Sequence, residues 1–390
     1  MDNTTGERIF GEDDQQGLEQ ETLFPELNQI PDKIDHPFDP NQIKISRRVV
    51  TIGQIASRIE HGEVELAPDF QRRARIWDIS RKSKLIESIL LRIPLPVFYV
   101  AADDRENWRV VDGLQRLTTI YDFIHTESVH SFSLRGLEYL SALEGTTFTQ
   151  LPRSIKRRID ETELNINVIE SGTPDEVMFN VFKRINTGGI TLNGQEIRHA
   201  LNPGPARGFL LSLVESEEFR RATDDSVRDD RMGARELALR FCAFSMTSPE
   251  SYYGGDLDGF LNDAMKRLND MSNSERQALR NRFRLAMTRA EEVFGNDAFR
   301  KRYTMTAPRT PINRALFEAW SVRLAELSEG DFWNLRSKSS MLRDEFSMAL
   351  MDNYEFERSV SVATGSRARV LLRFNTVQKL IKEVLDAQFD

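Results

Sequence analysis

The residues best suited to chemistry fall in one run, Trp108-Arg109-Val110-Val111-Asp112-Gly113-Leu114-Gln115-Arg116-Leu117-Thr118-Thr119-Ile120. An apolar stretch delivers the chain to Gly113, which can turn tightly without a Cβ penalty. Helical spacing follows at once, through Leu117, Ile120, Tyr121 and Ile124. A strand–turn–helix of this kind leaves backbone N–H groups around Leu114–Leu117 facing a small concavity, where the helix dipole favours an anion. Arg116 adds a planar fork suited to phosphate oxygens. It is an odd choice for structure alone, because a cation in the first turn opposes the dipole. Thr118 and Thr119 offer hydroxyls nearby, and Asp112 at the strand end is placed to hold a hydrated Mg2+. On these residues alone, phosphate binding and an ordinary turn with a surface arginine are evenly balanced.

Two further runs stand out. Pro68-Asp69-Phe70-Gln71-Arg72-Arg73-Ala74-Arg75-Ile76-Trp77 sets a basic cluster between two aromatics. Phe182-Lys183-Arg184-Ile185-Asn186-Thr187-Gly188-Gly189 ends one helix in a polar turn, and Leu192-Asn193-Gly194-Gln195-Glu196-Ile197-Arg198 opens the next. Each is weak by itself: Trp77 is more often core than a base platform, and Gly188-Gly189 is more often a C-cap than a phosphate loop.

Taken together, the three runs resemble the N-terminal half of GmrSD-type modification-dependent restriction enzymes. The central motif of that family is Asp-Gly-Gln-Gln-Arg-Leu-Thr-Thr, and here it reads Asp112 to Thr119 with Leu114 in place of the first Gln. The Gln-Arg…Trp element matches Gln71, Arg72 and Trp77, and the Phe-x-x-x-Asn element matches Phe182 and Asn186. The resemblance covers residues 48–205 well and the remainder loosely. It implies a ParB/sulfiredoxin-like fold, a nucleoside triphosphate site at the Gly-x-x-Arg turn, and nucleotide-gated action in phage defence. It places Gly113, Gln115 and Arg116 on the phosphates, with Asp112 and Asn186 in the same cleft. Gln71, Arg72, Trp77, Thr118 and Arg184 complete the expected nucleotide-binding set. Asp112 and Arg116 are the residues expected to serve hydrolysis, with Mg2+ and a triphosphate of unspecified base as cofactors. Leu114 leaves the backbone cradle intact but removes a polar side chain, so binding is a firmer expectation than turnover.

The elements that must position these residues are legible. Val49–Ile52, Val97–Val100, Trp108–Val111 and Leu164–Val168 read as strands, the last by alternation with Asn165 and Asn167. Ile52–Ile59 starts a helix, and Asp78 or Ser80 caps another that runs to Leu91 and buries Leu85, Ile86, Ile89 and Leu90. Thr173-Pro174-Asp175-Glu176 is a capping box that opens a helix burying Val177, Met178, Val181, Phe182 and Ile185. Beyond about residue 205 strand signals vanish, and helical periodicity marks 234–246, 257–270, 274–294, 312–328, 341–352 and 367–387. The expected class is α+β: an acidic, largely disordered tail over 1–45, a mixed α/β domain over 46–205 and a helical domain over 206–390. Phe356, Val360, Val362 and residues 365–373 are candidates to pack back on the first domain.

Composition narrows the function. The formal net charge of −8 is concentrated in residues 1–40, whose acids, from Asp2 to Asp39, face only Arg8 and Lys33. The rest is close to neutral, which does not suit a DNA-coating protein. No long apolar run exists, no secretion signal is read at the start, and the one cysteine, Cys242, allows no disulfide framework; a cytoplasmic location is expected. The histidines are His36, His61, His125, His130 and His199, so nothing beyond residue 199 can build a His-Asn-His nuclease. His199 and Glu196 are read as structural, the latter as a cap partner of Asn193. Arg276, Arg280 and Arg284 share a helix face and could track DNA phosphates; a solvated face paired with Glu275, Glu291 and Glu292 explains them equally well. The chain therefore reads as an NTP-binding and hydrolysing component that regulates a separate nuclease. The alternative is a non-catalytic DNA-binding or assembly module, with self-association open in either case.

Overall fold

The computed structural model describes residues 44–66, 77–185, 193–252, 256–304 and 308–387. They form two compact units, one ending at Leu201 and the other beginning at Asn202. The first is built from β1 (Ile45–Thr51), α1 (Ile52–Glu60), β2 (Val64–Glu65), α2 (Ile79–Leu90), β3 (Phe98–Ala102), β4 (Trp108–Asp112), α3 (Leu114–Ile124), α4 (Arg153–Asp160), β5 (Glu163–Ile169), α5 (Asp175–Ile185) and α6 (Gly194–Leu201). Its sheet has the order β1-β5-β3-β4-β2. β1 runs antiparallel to β5 and β3 antiparallel to β4, whereas the β5–β3 and β4–β2 pairs are parallel.

Alternation along the strands sorts two cores onto the two faces. Trp108, Val110, Leu164, Ile166 and Val168 pack with Ile52, Ile86, Leu117 and Ile159, from α1 to α4. On the opposite face, Ala101, Val111 and Ile169 pack with Phe179, Phe182, Ile197 and Leu201 of α5 and α6. A sheet covered on both sides explains why Val110-Val111 and Val168-Ile169 are consecutive apolar pairs rather than alternating ones. Arg58 lies 3.9 Å from the centroid of the buried Trp108 ring, closing the edge of this core.

Side chains set the helix starts. The Thr51 hydroxyl accepts from the Gln54 amide at 3.2 Å, while the Gln54 side chain accepts from the Thr51 amide at 3.0 Å, a reciprocal cap on α1. Asp78, rather than Ser80, caps α2 by accepting from the Arg81 amide at 2.7 Å. α2 is tied to α3 by a buried ion pair between Lys82 and Asp122 at 3.2 Å.

Several sequence expectations need adjustment. β1 begins at Ile45 rather than Val49 and ends at Thr51, with Ile52 opening α1. It is an edge strand whose Ile45 and Val49 stay exposed, so its first half carries no apolar signature. β2 and the basic helix α4 were not anticipated: two residues show no period, and α4 buries only Ile159. The reading of residues 1–40 lies outside the described residues.

The second unit is helical: α7 (Pro205–Val214), α8 (Glu217–Thr223), α9 (Gly233–Met246), α10 (Leu257–Asp270), α11 (Asn273–Phe294), α12 (Arg314–Glu326), α13 (Glu329–Ser337), α14 (Ser339–Asp352), α15 (Tyr354–Ser359) and α16 (Arg367–Asp386). Its core centres on Phe241, Phe283, Trp320 and Phe374. Phe356 and Val360 belong to this core and Val362 is exposed, which corrects the expectation that they pack on the first domain. Among the described residues no helix is long and apolar enough to cross a membrane.

Candidate functional site at the Asp112–Arg116 turn

β4 delivers Asp112 to the end of the sheet, where it pairs with Tyr99 at the start of β3. Gly113 follows with φ +95°, and α3 begins on the next residue without any side-chain cap. An ideal Cβ at Gly113 would lie 2.3 Å from Phe98 Cδ1, so both the backbone angle and the space demand glycine. The first helical hydrogen bond closes here, with the Leu117 amide donating to the Gly113 carbonyl at 2.9 Å. The geometry is the expected strand–turn–helix, and Gly113 at the cap position has no side chain to offer the first-turn amides.

Arg116 sits in the first turn of α3 and is largely buried, with 13% side-chain exposure. Its Nη2 donates to Asp112 Oδ2 at 3.0 Å and to the Val97 carbonyl at 3.3 Å, and its Nη1 donates to the Pro96 carbonyl. The guanidinium also lies over the Phe98 ring, 4.3 Å from its centroid. Burial pulls its pKa below the usual arginine range, and the Asp112 carboxylate pulls the other way. These contacts answer why a cation sits in a first helical turn: it satisfies two carbonyls and neutralises Asp112. None of those partners could be read from the linear motif, since Pro96 and Val97 come from the segment before β3.

The remaining candidates are placed as follows. Leu114 is half-buried against the core, which accounts for an apolar residue at that motif position. Gln115 is half-buried beside Arg116 in the first turn. Thr118 and Thr119 are 2% and 0% exposed, and their hydroxyls have no hydrogen-bond partner among the described residues. Thr118 is thus closed off from solvent. Trp77 packs partly against the core and carries Arg81 over its ring, 4.6 Å from the centroid. Arg184 is exposed in the last turn of α5. Gln71, Arg72 and Asn186 lie outside the described residues. Asn193 and Glu196 form the reciprocal cap expected of them, at 2.8 and 2.9 Å, and His199 is fully buried in α6.

Asp112, the one carboxylate expected beside a nucleotide-borne Mg2+, faces the Arg116 guanidinium at 3.0 Å, so a hydrated ion there would share the carboxylate with that cation. The arginines expected to track DNA are also engaged within the helical unit. Arg276 donates to the Leu268 and Met271 carbonyls, Arg280 to Gln277 and Ser212, and Arg284 pairs with Glu218 at 2.9 Å. They connect α11 to α10, α7 and α8 instead of forming an open basic stripe.

A small mixed sheet covered on both faces, with a glycine turn from strand to helix and a guanidinium folded over it, defines an α+β domain followed by a helical unit. Residues 52–202 match the family model described as GmrSD restriction endonuclease, N-terminal domain. The match spans β4, the glycine turn and both cores of the first unit. No curated protein matches the chain.

Proposed function

We propose that the 52–202 domain binds a nucleoside triphosphate at the Asp112–Arg116 turn and, as part of a restriction system, regulates DNA targeting by a separate nuclease. The observation that carries this reading is the start of α3: a left-handed Gly113, which has no side chain of its own to cap the helix, brings the N-terminal end of α3 and Arg116 to the end of the sheet. A phosphate there would accept from the first-turn amides and complement the helix dipole. Arg116 would turn its fork from the Pro96 and Val97 carbonyls to the phosphate oxygens. That exchange frees Asp112 and releases the segment ahead of β3, giving two arrangements for which the nucleotide has different affinities. Any Mg2+ that accompanies the triphosphate would take its ligands from phosphate and water.

One observation favours the alternative, a binding or assembly module that does not turn nucleotide over. Arg116 already has four partners, counting Phe98, and needs no ligand to explain it. Phosphate release and nucleotide-induced thermal shift, measured with each common triphosphate, with and without DNA, separate the two. Turnover or a shift that falls at least about ten-fold in apparent affinity on Arg116→Ala supports the nucleotide site. Arg116→Lys, which keeps the charge without the fork, is expected to fall between. A shift without turnover defines a sensor. Neither shift nor release with any triphosphate would overturn the reading.

A further inference from the structure

A second recess lies in the same domain, at the same end of the sheet as the glycine turn. It is an open cleft of about 710 Å³ between the segment after α2, the helix α4 and the start of β5. Arg92, Arg157 and Arg158 are among the residues that line it, together with Ile93, Leu95 and Asn165. Glu161 and Glu163 also line it, so its charge is mixed with a positive excess.

Arg92 occupies an unusual backbone position. α2 ends in a Schellman turn, with the Ile93 amide on the Ser88 carbonyl at 2.9 Å and the Arg92 amide on the Ile89 carbonyl at 3.0 Å. Arg92 therefore takes φ +59°, where glycine is the unstrained choice. The chain accepts that strain and gains a guanidinium on the cleft wall. Ile93 follows at 50% exposure, an apolar side chain left open beside it. Across the cleft, Arg157 makes a loose contact to Glu161, 3.8 Å at 73% and 70% exposure, of a kind that competes weakly with a ligand. Arg158 donates to the Leu90 carbonyl at 3.4 Å and Asn165 accepts from Arg47 at 2.7 Å, which fix the two walls.

We propose that this cleft seats a nucleic-acid strand, with phosphates on Arg92 and Arg157 and a sugar or base against Ile93 and Leu95. Guanidiniums beside apolar wall suit a phosphodiester chain, whose charge alternates with stackable surface. A small free anion would use only the guanidiniums and leave Ile93 and Leu95 without a partner. The site is distinct from the glycine turn and does not require a nucleotide there.

The test is fluorescence anisotropy of the full chain with labelled single-stranded and duplex oligonucleotides across a salt series. Arg92→Gly combined with Arg157→Ala should weaken binding about ten-fold or more and flatten the salt slope by roughly one to two. Arg92→Gly relieves the left-handed strain, so its melting temperature should not fall, separating a binding loss from misfolding. Ile93→Asn should weaken binding while leaving the salt slope unchanged. Arg105→Ala, in the exposed β3–β4 turn, should change neither. Triphosphate-induced thermal shifts should be the same in all these variants, so failure here and failure of the nucleotide reading can be told apart. The proposal is overturned if the parent does not bind, if the double variant binds like the parent, if Arg105→Ala loses as much, or if Ile93→Asn has no effect.

Discussion

Gly113 and Arg116 show how one motif can carry a local and a tertiary constraint at once. Gly113 is required twice, by φ +95° and by Phe98 beneath it. Gly113→Ala is expected to destabilise by about 2–4 kcal/mol, combining left-handed strain with a steric clash. Urea unfolding of the two proteins checks this; equal midpoints would mean that the turn relaxes freely. Arg116 is the subtler case. In the sequence its charge opposes the helix dipole and suggests a ligand. In the fold the same charge rests on Asp112 and two carbonyls. A phosphate at the proposed site would therefore have to outcompete existing partners, and its affinity would reflect that exchange.

At the scale of elements, a single carboxylate organises the loop that follows α3. Glu87 of α2, 3% exposed, accepts from the amides of Glu138, Tyr139 and Leu140 at 3.0, 2.7 and 2.7 Å. Burial raises its pKa, but the three amides outweigh burial and hold the carboxyl below the usual glutamate value of 4.5. Ionised Glu87 thus adds stability that is complete above 4.5 and is lost as pH falls through the lowered folded value. Glu87→Gln should lower stability by about 2–3 kcal/mol at neutral pH. The gap between variant and parent should close as acid protonates the parent, which thermal melts across the carboxylate range will show. A gap that stays constant with pH would mean the amides do not depend on the charge.

For the molecule as a whole, the helical unit buries charge that its core must hold in register. Glu318, 0% exposed, pairs with Arg240 at 3.2 Å and with Arg373, while Arg240 also pairs with Glu236 at 2.7 Å. These residues come from α9, α12 and α16, so the network ties the middle of the unit to its last helix. Removing one partner strands the others without compensation. Glu318→Ala should therefore cost about 3–5 kcal/mol in a denaturant titration followed by circular dichroism, far more than an exposed pair such as Lys379–Glu383. A loss below 1 kcal/mol, about that of a surface pair, would show that water reaches the network.

Much of this was determined by sequence alone, because it depends on near neighbours. Apolar period drew α9 to α12, α14 and α16 almost to their ends, and Asp78, Asn193 and Glu196 announced their caps. The glycine turn was legible for the same reason: strand, Gly113 and helix are consecutive. What tertiary structure decided were pairings between residues far apart in the chain. Arg276, Arg280 and Arg284 look like an open basic face on a helical wheel, and only the fold shows α10, α7 and α8 holding them. Arg92 and Arg157 carry no local pattern at all, since a cleft exists only once α2, α4 and β5 have come together. Local spacing sets backbone geometry and which face is apolar; the partners of a long, charged side chain are chosen by whatever the fold brings within its reach.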